Sequence, residues 1–342
     1  MPLSVGVERW PLASPFAIAR GVKTEAETLV VRLSERRGDG QIVVGLGEAV
    51  PYPRYGETPE GSADAVEGLR GWVDDPAQGA PADRRSRLLE ALPPGAARNA
   101  VDCALWDLEA KLTGRTVAEL ADLSPPKSAQ TAFTISLASA DGMAEAAREA
   151  GKQGRGALLK VKLGAGTAEE EEARIRAVRA AAPKARLILD ANEGWSAETL
   201  ATLDPVCADV GALFIEQPLP AERDEELRGL VLATPLCADE SCHEAADLDR
   251  LKGLYGVVNL KLDKSGGLTA ALTVREAALR GGFGLMVGCM VAGSLAMAPA
   301  YLLTEGAEAV DLDGPLLLAA DRNPAIRYKG SVMFPPERAL WG

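Results

Sequence analysis

The 342 residues are 47% hydrophobic and 25% charged with a net charge of −12, the composition of a folded globular chain and not of a disordered one. That acidic balance repels phosphate backbones and anionic lipid, which sets aside nucleic acid and membrane surfaces as partners. The length accommodates a barrel of about 250 residues with a smaller domain attached. Residues 3–10, 27–34 and 41–49 have the β-branched runs of strands, and GDGQ at 38–41 supplies a hairpin turn between the last two. Helical patterning follows at about 60–75, 83–91 and 97–112. The last of these puts Val101, Ala104, Leu105, Leu108 and Leu112 on one face before Gly114. Strands followed by helices predict an α+β unit over 1–125.

The rhythm changes near residue 130, beyond the Ser-Pro-Pro-Lys stretch at 124–127 where we place the domain boundary. From 126 to 316 eight strands are expected, near 131–137, 157–163, 186–190, 212–216, 234–239, 256–262, 283–288 and 308–313, most of them separated by helices. Thr167 with Glu170 forms a capping box for the helix after the second strand, and Ser196 can cap the helix after the third. The stretch from Gly284 to Leu303 carries no charge for twenty residues, yet its glycines and Pro299 predict a buried strand, a turn and a helix instead of a membrane span. Residues 317–342 are too short for another domain and are expected to pack back on the first. Five scattered cysteines without a CxxC pair predict free thiols in a reducing compartment. With no basic start and apolar run at the beginning, the cytoplasm is the expected location.

Five apolar segments end in acid or lysine: LLKVKLG, LILDAN, LFIEQP, LCADES and VVNLKLD. Their last polar positions are Lys162, Asp190, Glu216, Asp239 and Lys261, spaced 28, 26, 23 and 22 residues apart, one strand and one helix per step. Repeated units of this kind predict a closed parallel barrel whose reactive groups gather at the C-terminal ends of the strands. Lysines on the second and sixth of eight strands then face each other across the mouth. Side chains alternate along a strand, so Lys160 points the same way as Lys162, and Asp311 the same way as Asp313. Asp190, Glu216 and Asp239 fall on three consecutive strands, near enough to share one ion, and an all-oxygen set favours Mg²⁺ or Mn²⁺.

Any one of these residues taken singly is better explained as a solvated loop charge, but five in register are not. Zinc on Cys237, Cys242 and His243 matches no common spacing, and a single histidine is a poor basis for a Ser-His-Asp or Cys-His mechanism. His243 is expected at the surface or a helix start. The charge run GTAEEEEARIRAVRA at 166–180 predicts an exposed helix with internal Glu–Arg pairs.

KVK at 160–162, DAN at 190–192, EQP at 216–218, ADES at 238–241 and NLKLDKSGGL at 259–268 resemble the enolase superfamily, and its muconate-lactonizing subgroup more closely. ARNAVDCALWDLEAKLTG at 97–114 resembles a helix of that family's capping domain, and DLDGP at 311–315 is similar to the strand-eight motif of dipeptide epimerases, L-Ala-D/L-Glu epimerases among them. VAGSL at 291–295 departs from the pattern, with Ala292 where relatives often carry glutamate.

The resemblance implies a modified (β/α)8 TIM barrel of the (β/α)7β type under an α+β capping domain. It implies Mg²⁺ on Asp190, Glu216 and Asp239 stabilising an enediolate, with Lys160 adding positive charge and Lys162 and Lys261 moving the α-proton on opposite faces. The lysines would need their pKa lowered, by burial and neighbouring cations. Asp311 and Asp313 would receive a free ammonium, and Arg20 the carboxylate of an acidic second residue. The implied substrate is a dipeptide, L-Ala-L-Glu before others, with a homo-oligomer left open. The alternatives are o-succinylbenzoate synthase or N-succinylamino-acid racemase chemistry, a metal-free Schiff-base aldolase, and a barrel kept for binding alone.

Overall fold

The structure, a computed structural model, describes residues 2–342. It opens with a three-stranded antiparallel sheet of β1 (Leu3–Ile18), β2 (Gly21–Arg36) and β3 (Ile42–Ala49) in that order. The first two strands run well past the 3–10 and 27–34 expected from sequence. They form one long hairpin paired from Leu3↔Leu33 to Ile18↔Gly21, with a register shift between Pro11 and Phe16. Two prolines and alternating charges hide this ladder in the sequence, and β1 tolerates them because it is an edge strand. The turn, Ala19–Arg20, therefore projects far from the sheet.

Helix α1 (Pro59–Glu67) stops short of the expected 60–75, while α2 (Pro81–Ala91) and α3 (Ala96–Thr113) lie where periodicity places them. α3 rests directly on β3. A Cβ added at Gly47 would sit 1.9 Å from the Ala100 carbonyl oxygen, so only glycine permits this approach.

The eight expected barrel strands all form: β4 (Phe133–Ile135), β5 (Leu158–Lys162), β6 (Arg186–Asp190), β7 (Ala212–Glu216), β8 (Leu236–Ala238), β9 (Val257–Leu260), β10 (Gly284–Gly288) and β11 (Ala309–Asp311). They pair in parallel and in sequence order. A parallel bridge between Thr131 and Val310 closes the ring. There the Ala132 amide donates to the Val310 carbonyl at 2.7 Å, and the Leu312 amide to Thr131 Oγ1 at 2.8 Å. The outer layer comprises α4 (Ala140–Lys152), α5 (Ala168–Ala181), α6 (Ala197–Asp209), α7 (Leu268–Arg280) and α8 (Ser294–Tyr301). Thr167 and Glu170 make the expected capping box, and Ser196 accepts from the Thr199 amide. No helix of the described residues is long and apolar enough to cross a membrane.

Two details of α5 and the C-terminal segment differ from a simple surface. Glu171, expected in an exposed charge run, is fully buried, and its carboxylate accepts from the Gly164 amide, the Ala165 amide and Trp195 Nε1. Beyond the barrel, the Ala319 amide donates to Pro11 and Arg322 pairs with Glu8 and Glu48 on the sheet. A small hairpin at 328–333 adds instead to Ala129–Gln130 at the barrel's start.

Inside the ring, Ala132, Leu158, Ile188, Phe214, Cys237, Val257, Met286 and Ala309 contribute one residue per strand to a separate apolar cluster. Inward positions recur every second residue. Two residues further along, the same faces carry Lys160, Asp190, Glu216, Asp239, Asn259 and Asp311. A dry floor from all eight strands and a polar, mostly charged layer from six of them are thus consecutive rungs of one barrel.

Candidate active site

The structure brings all five strand-end groups together. Lys162 Nζ lies 2.6 Å from Asp190 Oδ2, and Lys261 Nζ 2.7 Å from Asp239 Oδ2. Lys160 sits centrally, its Nζ 2.9 Å from Glu216 and from Asp311 and 3.1 Å from Asp190. Lys162 ends the second barrel strand and Lys261 follows the sixth, so they stand on opposite sides of the mouth with the three acids on the arc between.

These groups are buried, so their charges act on one another with little screening. Burial alone would raise Asp190, but Lys162 and Lys160 hold its carboxyl well below the usual carboxylate range. Lys261, Lys264 and Lys160 do the same for Asp239. Glu216 moves the other way, pushed up to about 7 by burial and by the negative charge of Asp190. The lowered lysine pKa expected from sequence does not hold for Lys261. Burial pulls it down, but the carboxylates around it, Asp239 first and then Glu216 and Glu240, together outweigh burial and raise it above the ordinary lysine value.

Among the described residues no three carboxylates converge on one point; each instead leans toward an ammonium. The donor set nevertheless fits a hard cation. Asn192 Oδ1, Glu216 Oε2, Asp239 Oδ1 and Asn259 Oδ1 are buried and accept no hydrogen bond. Glu216 Oε2 and Asp239 Oδ1 do lie within 2.9 and 2.7 Å of Lys160 and Lys264, ion-pair contacts without hydrogen-bond alignment. Buried oxygen donors short of hydrogen-bond partners are what a small divalent ion requires.

The groups assigned to a substrate's two ends are partly engaged. Asp311 pairs with Lys160, and one oxygen of Asp313 accepts from the Thr134 amide at 2.7 Å. Burial and the Asp311 charge push Asp313 up to about 7. Arg20, at the tip of the long hairpin, reaches the barrel mouth. Its guanidinium donates to the Asn192 carbonyl at 2.8 Å, Glu193 at 3.1 Å, Glu240 at 2.7 Å and the Tyr52 hydroxyl at 3.2 Å. A cavity of about 660 Å³ lies beneath this tip, lined by Arg20, Tyr52, Arg54, Lys162, Glu240 and Lys261 among others.

Several site residues escape sequence reasoning. Gln217, in the EQP run, is fully buried with both ends used: Oε1 accepts from the Asp239 and Ser241 amides, and Nε2 donates to Leu219, Ser241 and Tyr255. It thus ties the strand bearing Glu216 to the strand bearing Asp239. Lys264 spans from Asp239 to the Asn259 carbonyl. Both stand in visible motifs, but nothing in their spacing tells a brace from a ligand. Arg54 grips Glu193 with Nε and Nη2 at 2.8 Å each, a pairing across 139 residues that no local pattern announces. His243 is half-buried, its ring edge-on to Tyr55 at 4.5 Å, and burial lowers its pKa to about 4.

A capping sheet over a closed barrel with lysines on its second and sixth strands defines a class, and the comparisons agree. Residues 3–121 match the mandelate racemase / muconate lactonizing enzyme N-terminal domain and 142–323 the enolase C-terminal domain-like family, so the chain belongs to the enolase superfamily. Within it, the chain is 44% identical over 321 residues to the L-Ala-D/L-Glu epimerase of Escherichia coli (strain K12), covering 94% of this chain and 95% of that one. It is 43% identical over 305 residues to an N-acetyl-D-glutamate racemase of Pseudoalteromonas sp, covering 87% and 91%. Among solved structures, an enolase family member from Agrobacterium tumefaciens with homology to dipeptide epimerases, holding sodium and L-Ala-L-Glu, superposes with a TM-score of 0.91 at 46% identity, covering 99% of both chains. A dipeptide epimerase from Methylococcus capsulatus complexed with Mg and L-Arg-D-Lys gives 0.89 at 32%, covering 99% of this chain and 98% of that one.

Proposed function

We propose that this chain is a Mg²⁺-dependent dipeptide epimerase that interconverts L-Ala-L-Glu and L-Ala-D-Glu by proton transfer at the α-carbon of the second residue. One observation carries the reading: Lys162 and Lys261 flank the cavity from opposite sides, with Asp190, Glu216 and Asp239 on the arc between them. Asp190, Glu216 and Asp239 would hold Mg²⁺, which would supply positive charge to the substrate carboxylate next to the carbon that loses its proton. Lys160 adds a second cation to the same carboxylate. Lys162 and Lys261 face opposite sides of that carbon; one takes the proton and the other returns one, which inverts the centre. The lysine that takes the proton must be the neutral amine when it does so, because an ammonium has no lone pair to accept one, and the lysine that returns a proton must be the ammonium. Asp311 and Asp313 receive the free ammonium, and Arg20 the side-chain carboxylate. The free thiols of all five cysteines suit a cytoplasmic enzyme.

A second reading, racemisation of an N-acylated glutamate, is favoured by the engagement of Asp311 with Lys160, which leaves less negative charge for an ammonium. The relative named an N-acetyl-D-glutamate racemase keeps it in view. Exchange of the α-hydrogen in D₂O with Mg²⁺ separates the two. L-Ala-L-Glu should exchange and epimerise with higher kcat/KM than N-acetyl-L-glutamate, and excess EDTA should stop both. A preference for the acylated amino acid would install the second reading, and full turnover in EDTA after removal of bound metal would defeat both.

A further inference from the structure

The barrel mouth holds two arginines and two acids whose connections are unequal. Arg20 and Arg54 come from different parts of the capping sheet, the hairpin tip and the segment after β3, and both reach Glu193 in the loop after β6. Arg54 takes Glu193 through both arms of its fork at 2.8 Å, whereas Arg20 adds a single contact at 3.1 Å. The Ala221 amide also donates to this carboxylate, and the Glu193 amide donates to the Gln217 carbonyl at 2.8 Å. Asn192 and Glu193 hold left-handed backbone conformations with φ of 46° and 68°, so this loop is pinned in a shape that neither residue favours. Glu193 is the stationary member and the arginines are the movable ones; its side chain is 8% exposed against 27% for Arg20 and 35% for Arg54.

Resting on the reading that Arg20 binds an acidic second residue, we infer that Arg54 sets that specificity by serving as the standing counter-ion of Glu193. A buried carboxylate stripped of its partners is costly. Because Arg54 satisfies Glu193 bidentately, Arg20 can withdraw its Nη1 arm from Glu193 and offer it to the substrate carboxylate without stranding a charge. Its Nη2 arm stays on Glu240, fixing the direction of approach. Without Arg54, Glu193 holds Arg20 as its only cation and competes with the substrate. Arg54 is thus a positioning residue that acts through Glu193 and Arg20 with no contact to the substrate. The sequence gives no sign of it, since PRYG at 53–56 has the look of an ordinary turn.

The test compares Arg54→Met, Glu193→Gln and the double variant by steady-state kinetics on L-Ala-L-Glu, with L-Ala-L-Leu as substrate or competitor. Arg54→Met should raise KM for L-Ala-L-Glu by about tenfold with kcat little changed, the scale of one charge-assisted contact. The KM or Ki of L-Ala-L-Leu should stay within about twofold. Adding Glu193→Gln to Arg54→Met removes the competitor and should restore KM toward that of the unmodified enzyme. If the rise persists in the double variant, Arg54 touches the substrate itself; if it is equal for both dipeptides, Arg54 only supports the fold. Either result overturns the inference while leaving the epimerase intact. An unmodified protein that turns over neither dipeptide removes the underlying reading, and the inference with it.

Discussion

On the proposed reading Lys162 and Lys261 each carry one half of the reaction, and their placement on opposite sides of the mouth makes the halves separable. Lys162→Ala and Lys261→Ala should each abolish epimerisation by a factor of at least about 10². Each variant should still wash out the α-hydrogen of one epimer in D₂O, and the two should choose opposite epimers; the same preference in both would indicate a single base. The five strand-end residues could be read in the sequence because a strand's two-residue period and a regular 22–28-residue step dictate where a side chain must point. The residues that could not be read are those that work through long-range pairing. Arg54 meets Glu193 where the capping part faces the barrel, and Gln217 meets Asp239 and Ser241 at the end of the neighbouring strand, so only the folded chain makes them neighbours. The protonation of Lys261 is illegible for a related reason: the sequence shows burial and neighbouring lysines, but not that a carboxylate comes to lie 2.7 Å away.

Among elements, the contact between α3 and β3 makes a sharp prediction. Gly45 and Gly47 let the helix backbone lie on the strand, and a Cβ at Gly47 would meet Ala100 O at 1.9 Å and Ala104 N at 2.8 Å. Gly47→Ala should cost roughly 1–3 kcal/mol or more by overpacking, measured by urea unfolding. A surface change such as Gly38→Ala, with open space around it, serves as the control. The extent of β1 and β2 was the main element hidden in the sequence, and it matters most for function. Sixteen-residue strands carry Arg20 to the far side of the capping sheet, where an eight-residue hairpin would leave it short of the barrel.

For the whole molecule, the joint between sheet and barrel is tuned by pH. Asp263, just beyond Lys261, accepts through the same oxygen, Oδ1, from the Val50 amide and Asn99 Nδ2, both at 2.9 Å. Burial, with the charges of Glu57 and Glu48 adding to it, pushes its carboxyl up to about 7. At low pH the group is protonated in folded and unfolded chains alike, and it does not oppose folding. As pH rises from about 4 to 7 the unfolded chain ionises it while the folded one retains the proton, so stability falls over that window and stays low above it. Asp263→Asn keeps an acceptor for both donors and removes the charge. It should match the unmodified protein near pH 5 and exceed it at pH 8 by on the order of 2–4 kcal/mol, read from denaturant midpoints. A constant offset at both pH values would refute the ionisation argument.

The seam at Thr131 gives the molecule a history as well as a shape. Its two sides lie 181 residues apart, and while the chain is being synthesised β4 must wait, one edge unpaired, until β11 exists. Until then the ring is a curved sheet with an open flank, the state most exposed to adhesion between nascent chains. Asp311 arrives on that same closing strand, so Lys160 gains its last counter-ion in the step that seals the barrel. The Lys160 ammonium therefore gathers all three of its carboxylate contacts only when the ring is complete, and a chain stalled before residue 311 would leave it with one too few.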